Sequence, residues 1–221
     1  MKKLGIIGGA GPLASALFYE TLVHECYRRQ CPLPEIFLLN YPFNRGLTPA
    51  EKRENGAALQ TELLHCLNAL EAGGVSLAVL VCNTLHLELA KTPRGSVRFL
   101  PIPDLVLEEV RARKGTRLLL LGTQNTCSSA LYQQSGFTIF HPSSEGQKIV
   151  DLAIDHVLEG GIFEADVRLL EDVIKSFPEE IDGVILGCTD LPVLHHHFPI
   201  QIDQPIYDSV KIPAKTILRF L

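Results

Sequence analysis

Two stretches of this chain each occur twice. KKLGIIGGAGPLASALFYE (residues 2–20) matches TRLLLLGTQNTCSSALYQQ (residues 116–134), and VSLAVLVCNTLH (residues 75–86) matches IDGVILGCTDLP (residues 181–192). The glycine turns at Gly8 and Gly122 stand 114 residues apart (122 less 8), and Cys82 and Cys188 stand 106 apart (188 less 82). Such self-similarity restricts the fold to two copies of one supersecondary pattern. Each copy opens with a short apolar run, Leu4 to Ile7 or Arg117 to Leu121, that stops at a glycine and gives way to helical spacing. Further apolar runs follow at Ile36–Leu39, Val75–Val81, Phe137–Phe140 and Gly183–Leu186. Continuous apolar runs bounded by Gly and Pro are the mark of strands buried on both faces, as in parallel sheets. The first-copy helices are expected near Leu13, Leu17, Tyr19, Leu22 and Val23 and from Pro49 to Ala72; those of the second from Asp104 to Arg113, around Leu131 and Tyr132, from Gln147 to Glu159, and from Ala165 to Ser176. The class is therefore α/β, with Cys82 and Cys188 each at the carboxyl end of a strand. In open parallel sheets that edge is where ligands bind.

The 221 residues suffice for one large or two small domains, and 46% hydrophobic with 20% charged residues describes a globular chain that needs no disulfide or metal to fold. A net charge of −5 without a run of Lys or Arg gives no footprint for nucleic acid. The start, MKKLGIIGGAGPLASALF, imitates a signal peptide, but four glycines and Pro12 interrupt it, and the same pattern recurs deep inside the chain. No uninterrupted apolar run reaches membrane-spanning length. A cytoplasmic protein with reduced thiols is expected, and six cysteines in such a chain do not make a disulfide framework.

The duplicated cysteines carry the candidate chemistry. Both could be small buried packing residues. Both, with His86 and one of His195 to His197, could ligate zinc, although the tight Cys-x2-Cys pairs of structural zinc sites are absent around Cys188. The triple histidine reads better as a solvated helix end, and Cys26, Cys31, Cys66 and Cys127 have no matching context and read as structural. Gly9-Ala10-Gly11-Pro12-Leu13-Ala14 fits the dinucleotide pattern G-x-G-x-x-A, which would suit a nucleotide- or metabolite-binding protein without catalysis. Against that, the second strand runs into Asn40-Tyr41, not the acidic residue that binds a ribose. A glycine turn before a helix serves any small anion, a carboxylate included. Two thiols from two matching halves, each beside hydroxyl or amide side chains, suit removal of a proton from one face of a carbon and its return on the other. One must rest as thiolate and the other as thiol. Charge builds on the substrate carboxylate as the α-proton leaves, where Asn83, Thr84, Thr189 and the glycine-turn amides could stabilise it.

In these motifs, GIIGGAGP at 5–12, CNTLH at 82–86, LGT at 121–123 with Thr126, and GCTDLP at 187–192, the chain resembles the aspartate/glutamate racemase family, the pyridoxal-independent amino-acid racemases. The resemblance implies two similar Rossmann-like domains with parallel sheets and an interdomain cleft: residues 1–103 with 206–221, holding Cys82, and residues 104–205, holding Cys188. The final helix would return to the first domain. It implies no cofactor, an amino-acid substrate, acidic by family, and a homodimer. By the same likeness Cys82 and Cys188 form the acid/base pair, and Gly9, Ala10, Asn83, Thr84, Thr123, Thr126 and Thr189 lie at the amino acid. Arg45 matches an arginine that grips its carboxylates. Three positions depart from the family pattern. Ala10 stands where methionine is usual, Asp190 where glutamate is usual, and Ile162-Phe163-Glu164 where acidic-substrate members place a lysine. Loss of that cation argues for a neutral or broader substrate range.

Overall fold

The computed structural model describes residues 3–43, 56–93 and 95–221. In the first half, strands β1 (Leu4–Gly8), β2 (Ile36–Asn40), β3 (Leu77–Leu80) and β4 (Arg98–Phe99) pair in parallel in the order β2-β1-β3-β4. In the second, β5 (Arg117–Leu121), β6 (Thr138–Phe140), β7 (Gly183–Leu186) and β8 (Ile206–Asp208) pair in parallel in the order β6-β5-β7-β8. The two sheets share one topology, as the repeat predicts, and each reverses strand order between its first and third strands. Loops that leave β1 and β3, or β5 and β7, diverge to opposite faces of the sheet and leave a crevice between them.

The helices are α1 (Pro12–Arg29), α2 (described over Gly56–Ala72), α3 (His86–Leu89), α4 (Ile102–Ala112), α5 (Gln124–Cys127), α6 (Ser144–Leu158), α7 (Glu164–Lys175), α8 (Leu191–His197) and α9 (Lys211–Thr216), followed by a 3-10 turn, Ile217–Phe220. The strand pleat sorts the first sheet's side chains into two layers. Leu4 and Ile6 of β1 and Leu77 and Val79 of β3 join a core that runs on into the second half, and Ile7, Ala78 and Leu80 face a separate cluster with Leu63, Leu67 and Leu70 of α2. None of the described helices is long and apolar enough to cross a membrane.

Four expectations need correction. β2 is not buried on both faces: it is an edge strand with one neighbour, and Leu38 is 41% exposed. The inward stripe of α1 is Ala14, Leu17, Phe18, Leu22 and Cys26, with Leu13 and Tyr19 outside. No helix contains Leu131 and Tyr132; α5 ends after one turn at Cys127. There Ser128 Oγ donates to Gln124 O at 2.8 Å and Ser129 Oγ to Thr126 O at 2.7 Å, local bonds that compete with helix continuation. Finally, residues 206–208 belong to the second sheet through β8, so the chain crosses back only after Asp208. It then lays α9 against α1 and α4.

Candidate functional site

The turn after β1 can be made only by glycine. Gly9 has φ +103°, and a side chain there would collide with the Tyr41 carbonyl. The Gly9 amide donates to Ser15 Oγ at 3.1 Å, and Ser15 Oγ donates to Gly11 O at 3.0 Å. The Gly9 N–H is thus engaged within the turn, where the sequence reading had the turn's amides reaching a ligand. Gly11 has a different constraint. A methyl there would strike Asp190 Oδ1, so the turn of the first half is packed directly on the second half's Cys-Thr-Asp segment. That contact disfavours a dinucleotide, because a buried carboxylate already occupies the side of the turn where a pyrophosphate would need positive potential.

Cys82 follows β3 and Cys188 follows β7, and both line one cleft of about 180 Å³ together with Ala10, Thr84, Thr123 and Asp190. That is below the range of about 300–1,000 Å³ typical of drug-sized pockets and suits a small metabolite. Burial pushes the Cys82 thiol up to about 12, against the pull of the Thr84 and Leu85 backbone amides. Burial likewise raises Cys188 well above the ordinary thiol range, and the charges of Asp190 and of an ionised Cys82 push it further. Each thiolate therefore opposes formation of the other, and the pair favours at most one negative sulfur at a time. Cys188 Sγ donates to Asp190 Oδ2 at 3.5 Å. Asp190 is 5% exposed, its Oδ1 has no partner, and burial raises its carboxyl to about 6. Sequence reading noted Asp190 only as a departure from the family pattern. The usable signal was its alignment with Thr84, two residues beyond each cysteine.

Thr84 reaches across from the first half, its Oγ1 3.0 Å from that of Thr123 and 2.9 Å from that of Thr126, while Thr123 Oγ1 accepts from the Thr126 amide at 3.3 Å and caps α5. Thr123 and Thr84 line the cleft; Thr126 is fully buried behind them. Asn83 does not present its side chain to the cleft. It is 1% exposed, its Oδ1 accepts from Tyr132 Oη at 2.7 Å, and its Nδ2 donates to Ser209 Oγ at 3.1 Å. Thr189 is 2% exposed and does not line the cleft, although its neighbours Cys188 and Asp190 do. Arg45 lies outside the described residues.

His86 is excluded as a metal ligand by its bonds. The Ile102 amide donates to Nε2 at 3.3 Å, so the proton sits on Nδ1, which donates to the Cys82 carbonyl at 2.7 Å. Burial lowers its pKa to about 4, so it is a neutral clamp between the Cys82 loop and α4. Among the described residues no three His, Cys, Asp or Glu side chains are grouped to hold a metal ion. The residues standing where a lysine was expected turn away from the cleft. Phe163 packs edge-on against His156 with ring centroids 5.3 Å apart, and Glu164 pairs with Arg168 at 2.8 Å on the surface. His195, at the end of α8, accepts from the Ile200 amide at 3.1 Å, and His196 and His197 are solvated.

Comparison with known proteins agrees with this architecture. The chain is 30% identical over 164 residues to the glutamate racemase of Aquifex aeolicus, covering 71% of this chain and 63% of that protein. It thus spans less than two thirds of that relative's length. Across the whole chain it superimposes with a TM-score of 0.76 on 99% of an aspartate racemase homologue from Pyrococcus horikoshii, at 27% identity. The aspartate racemase of Picrophilus torridus has the same fold, with a TM-score of 0.80, 24% identity, and coverage of 100% of this chain and 94% of that one. The family model for Asp/Glu/hydantoin racemases matches residues 7–217, and the chain belongs to that family.

Proposed function

We propose that this protein is a cofactor-independent amino-acid racemase in which Cys82 and Cys188 are the two acid/base groups. The observation that carries this reading is that two equivalent thiols, one from each half, line a single small cleft and oppose each other's ionisation. One sulfur, as thiolate, takes the α-proton, and the electron pair of the broken C–H bond delocalises into the carboxylate. The opposite S–H then delivers its proton to the other face of the carbon, so the thiol and thiolate exchange places and no electron or group is lost. Thr84 and Thr123 present hydroxyls to the developing charge, and Arg45 is assigned to the same carboxylate by family likeness. Asp190 accepts from Cys188, and as a carboxylate it is the local base through which Cys188 loses its proton. Burial holds both thiols up, so a thiolate in the cleft needs a positive charge beside it, and the substrate ammonium supplies one.

α-Hydrogen exchange provides the test. Single enantiomers of the amino acids incubated in deuterium oxide should lose their α-proton signal and racemise, and Cys82→Ser or Cys188→Ser should each lower racemisation by at least about 100-fold, the scale of a lost acid/base group. Full turnover retained in both variants refutes the two-thiol reading.

A further inference from the structure

Helix α1 ends in a left-handed turn that brings two thiols together. Gln30 has φ +53°, its amide donates to Tyr27 O at 3.1 Å, and the Cys31 amide donates to Cys26 O at 3.0 Å. This pair of bonds closes many helices, and it places the residue after the left-handed position against the one five before it, where two apolar side chains usually meet. Here those two residues are Cys31 and Cys26. The Cys31 thiol donates to Cys26 O at 3.7 Å and lies within hydrogen-bond reach of the Cys26 sulfur; burial first, and that contact second, raise Cys26 to about 11. Cys26 is fully buried, whereas Cys31 is partly exposed. The frame around them is held firmly. Buried Glu25 accepts from Arg28 at 2.6 and 2.8 Å and from Arg29 at 2.6 Å, and Pro32 and Pro34 stiffen the chain that leaves Cys31. A direct main-chain hydrogen bond keeps the two Cα atoms close, as the span of about 4.4–6.8 Å across a disulfide demands. Other thiols are engaged elsewhere: Cys127 points its S–H at Leu120 O and Gly122 O, at 3.7 and 3.6 Å, and Cys82 and Cys188 belong to the cleft.

We propose that Cys26 and Cys31 are a reversible dithiol–disulfide site at the end of α1, oxidised by small disulfides of the glutathione class. The site is separate from the cleft and independent of the racemase reading. Cys31, the exposed member, attacks first as thiolate: its sulfur bonds to one sulfur of the external disulfide, whose S–S bond breaks and releases one thiolate. Cys26 then gives up its proton to water and attacks the Cys31 sulfur of the mixed disulfide, expelling the second small thiol. The two cysteines lose two electrons and two protons, and one external disulfide becomes two thiols. Burial of Cys26 keeps its thiolate scarce, and its fixed position beside Cys31 offsets that scarcity.

The test incubates the whole chain with excess glutathione disulfide, caps the remaining thiols with an alkylating agent, and digests the denatured product with trypsin. Arg28 and Arg29 lie between the two cysteines, so cleavage leaves Cys26 and Cys31 on separate peptides unless a disulfide joins them. The joined peptides should account for more than about nine-tenths of the protein, and dithiothreitol added before capping should return both cysteines as alkylated peptides. Cys26→Ala, a small apolar replacement at the buried position, should stop at the mixed disulfide, with one glutathione retained on Cys31. Cys26 and Cys31 recovered from the wild type on separate peptides, or linked to other cysteines, overturns the site. Cys31 left unmodified in Cys26→Ala overturns its assignment as the attacking thiol.

Discussion

Lowering the pH should strip stability from this protein through one side chain, His86, and the size of the effect can be worked out from its bonds. His86 is buried, with Nδ1–H on the Cys82 carbonyl and Nε2 accepting from the Ile102 amide. Protonation would place a second N–H against that amide and a charge in the core. Its pKa accordingly falls from 6.5 to about 4. A group depressed on folding gives stability that is complete above the unfolded value and lost as pH falls toward the folded one. At about pH 5.5, one unit below the unfolded value, the loss is ~1.4 kcal/mol, and by about pH 4 it approaches 3 kcal/mol. The comparison that isolates it is wild type against His86→Gln, because the other histidines lowered by burial, His141 and His195, contribute equally to both proteins. The chain has no tryptophan, so urea unfolding is followed by far-ultraviolet circular dichroism from about pH 8 down to about pH 4. The variant should be the less stable above pH 7 by about 1–3 kcal/mol, the cost of the disturbed bonds, and the two curves should converge as the pH falls. Parallel curves across the whole range would refute the assigned tautomer and the burial argument together.

Two further outcomes follow from the site. Because burial raises Asp190 to about 6 and its carboxylate accepts from Cys188, activity should fall as pH drops through that value, and Asp190→Asn should lower kcat by about 10- to 100-fold while removing the acid limb of the pH–rate profile. An acid limb that persists unchanged in the variant contradicts the role of Asp190. Tyr132→Phe removes only the hydroxyl that donates to Asn83 at 2.7 Å, leaves a buried acceptor without its partner, and should cost about 1–3 kcal/mol in unfolding free energy; a change under about 0.5 kcal/mol would mean that the bond is not made in solution.

The duplication was legible because parallel strands buried between helix layers leave continuous apolar runs, and each run stopped at a glycine or a thiol. Gly8, Cys82, Gly122 and Cys188 mark the four strand ends that converge on the cleft. What could not be read was the direction of side chains after those ends. Asn83 sits next to Cys82 and carries a polar amide, so sequence places it at the substrate; in the folded chain its amide is consumed by Tyr132 and Ser209, residues 49 and 126 positions away. Tyr132 was misread for the matching reason, since Leu131-Tyr132 looks like a helix face and instead ends a serine-rich turn so that the phenol can reach Asn83. The Asp190 contact with Gly11 is likewise a product of how the halves dock, which no local pattern encodes. At the position where a lysine was expected, Phe163 packs on His156 and Glu164 pairs with Arg168, contacts that no local pattern announces.

The late return of the chain has a consequence for how such a protein can diverge. Ser209, α9 and the residues up to Ile217 are encoded at the far end of the sequence, yet Ser209 holds Asn83 beside the first thiol, and Ala214 and Ile217 share a core with Leu17, Phe18 and Leu22 of α1. The duplicated halves are therefore not exchangeable cassettes. A crossover near the junction after α4 that imported a foreign second half would also import a foreign closing piece for the first, so the opening helix and the residues that close its core must drift together.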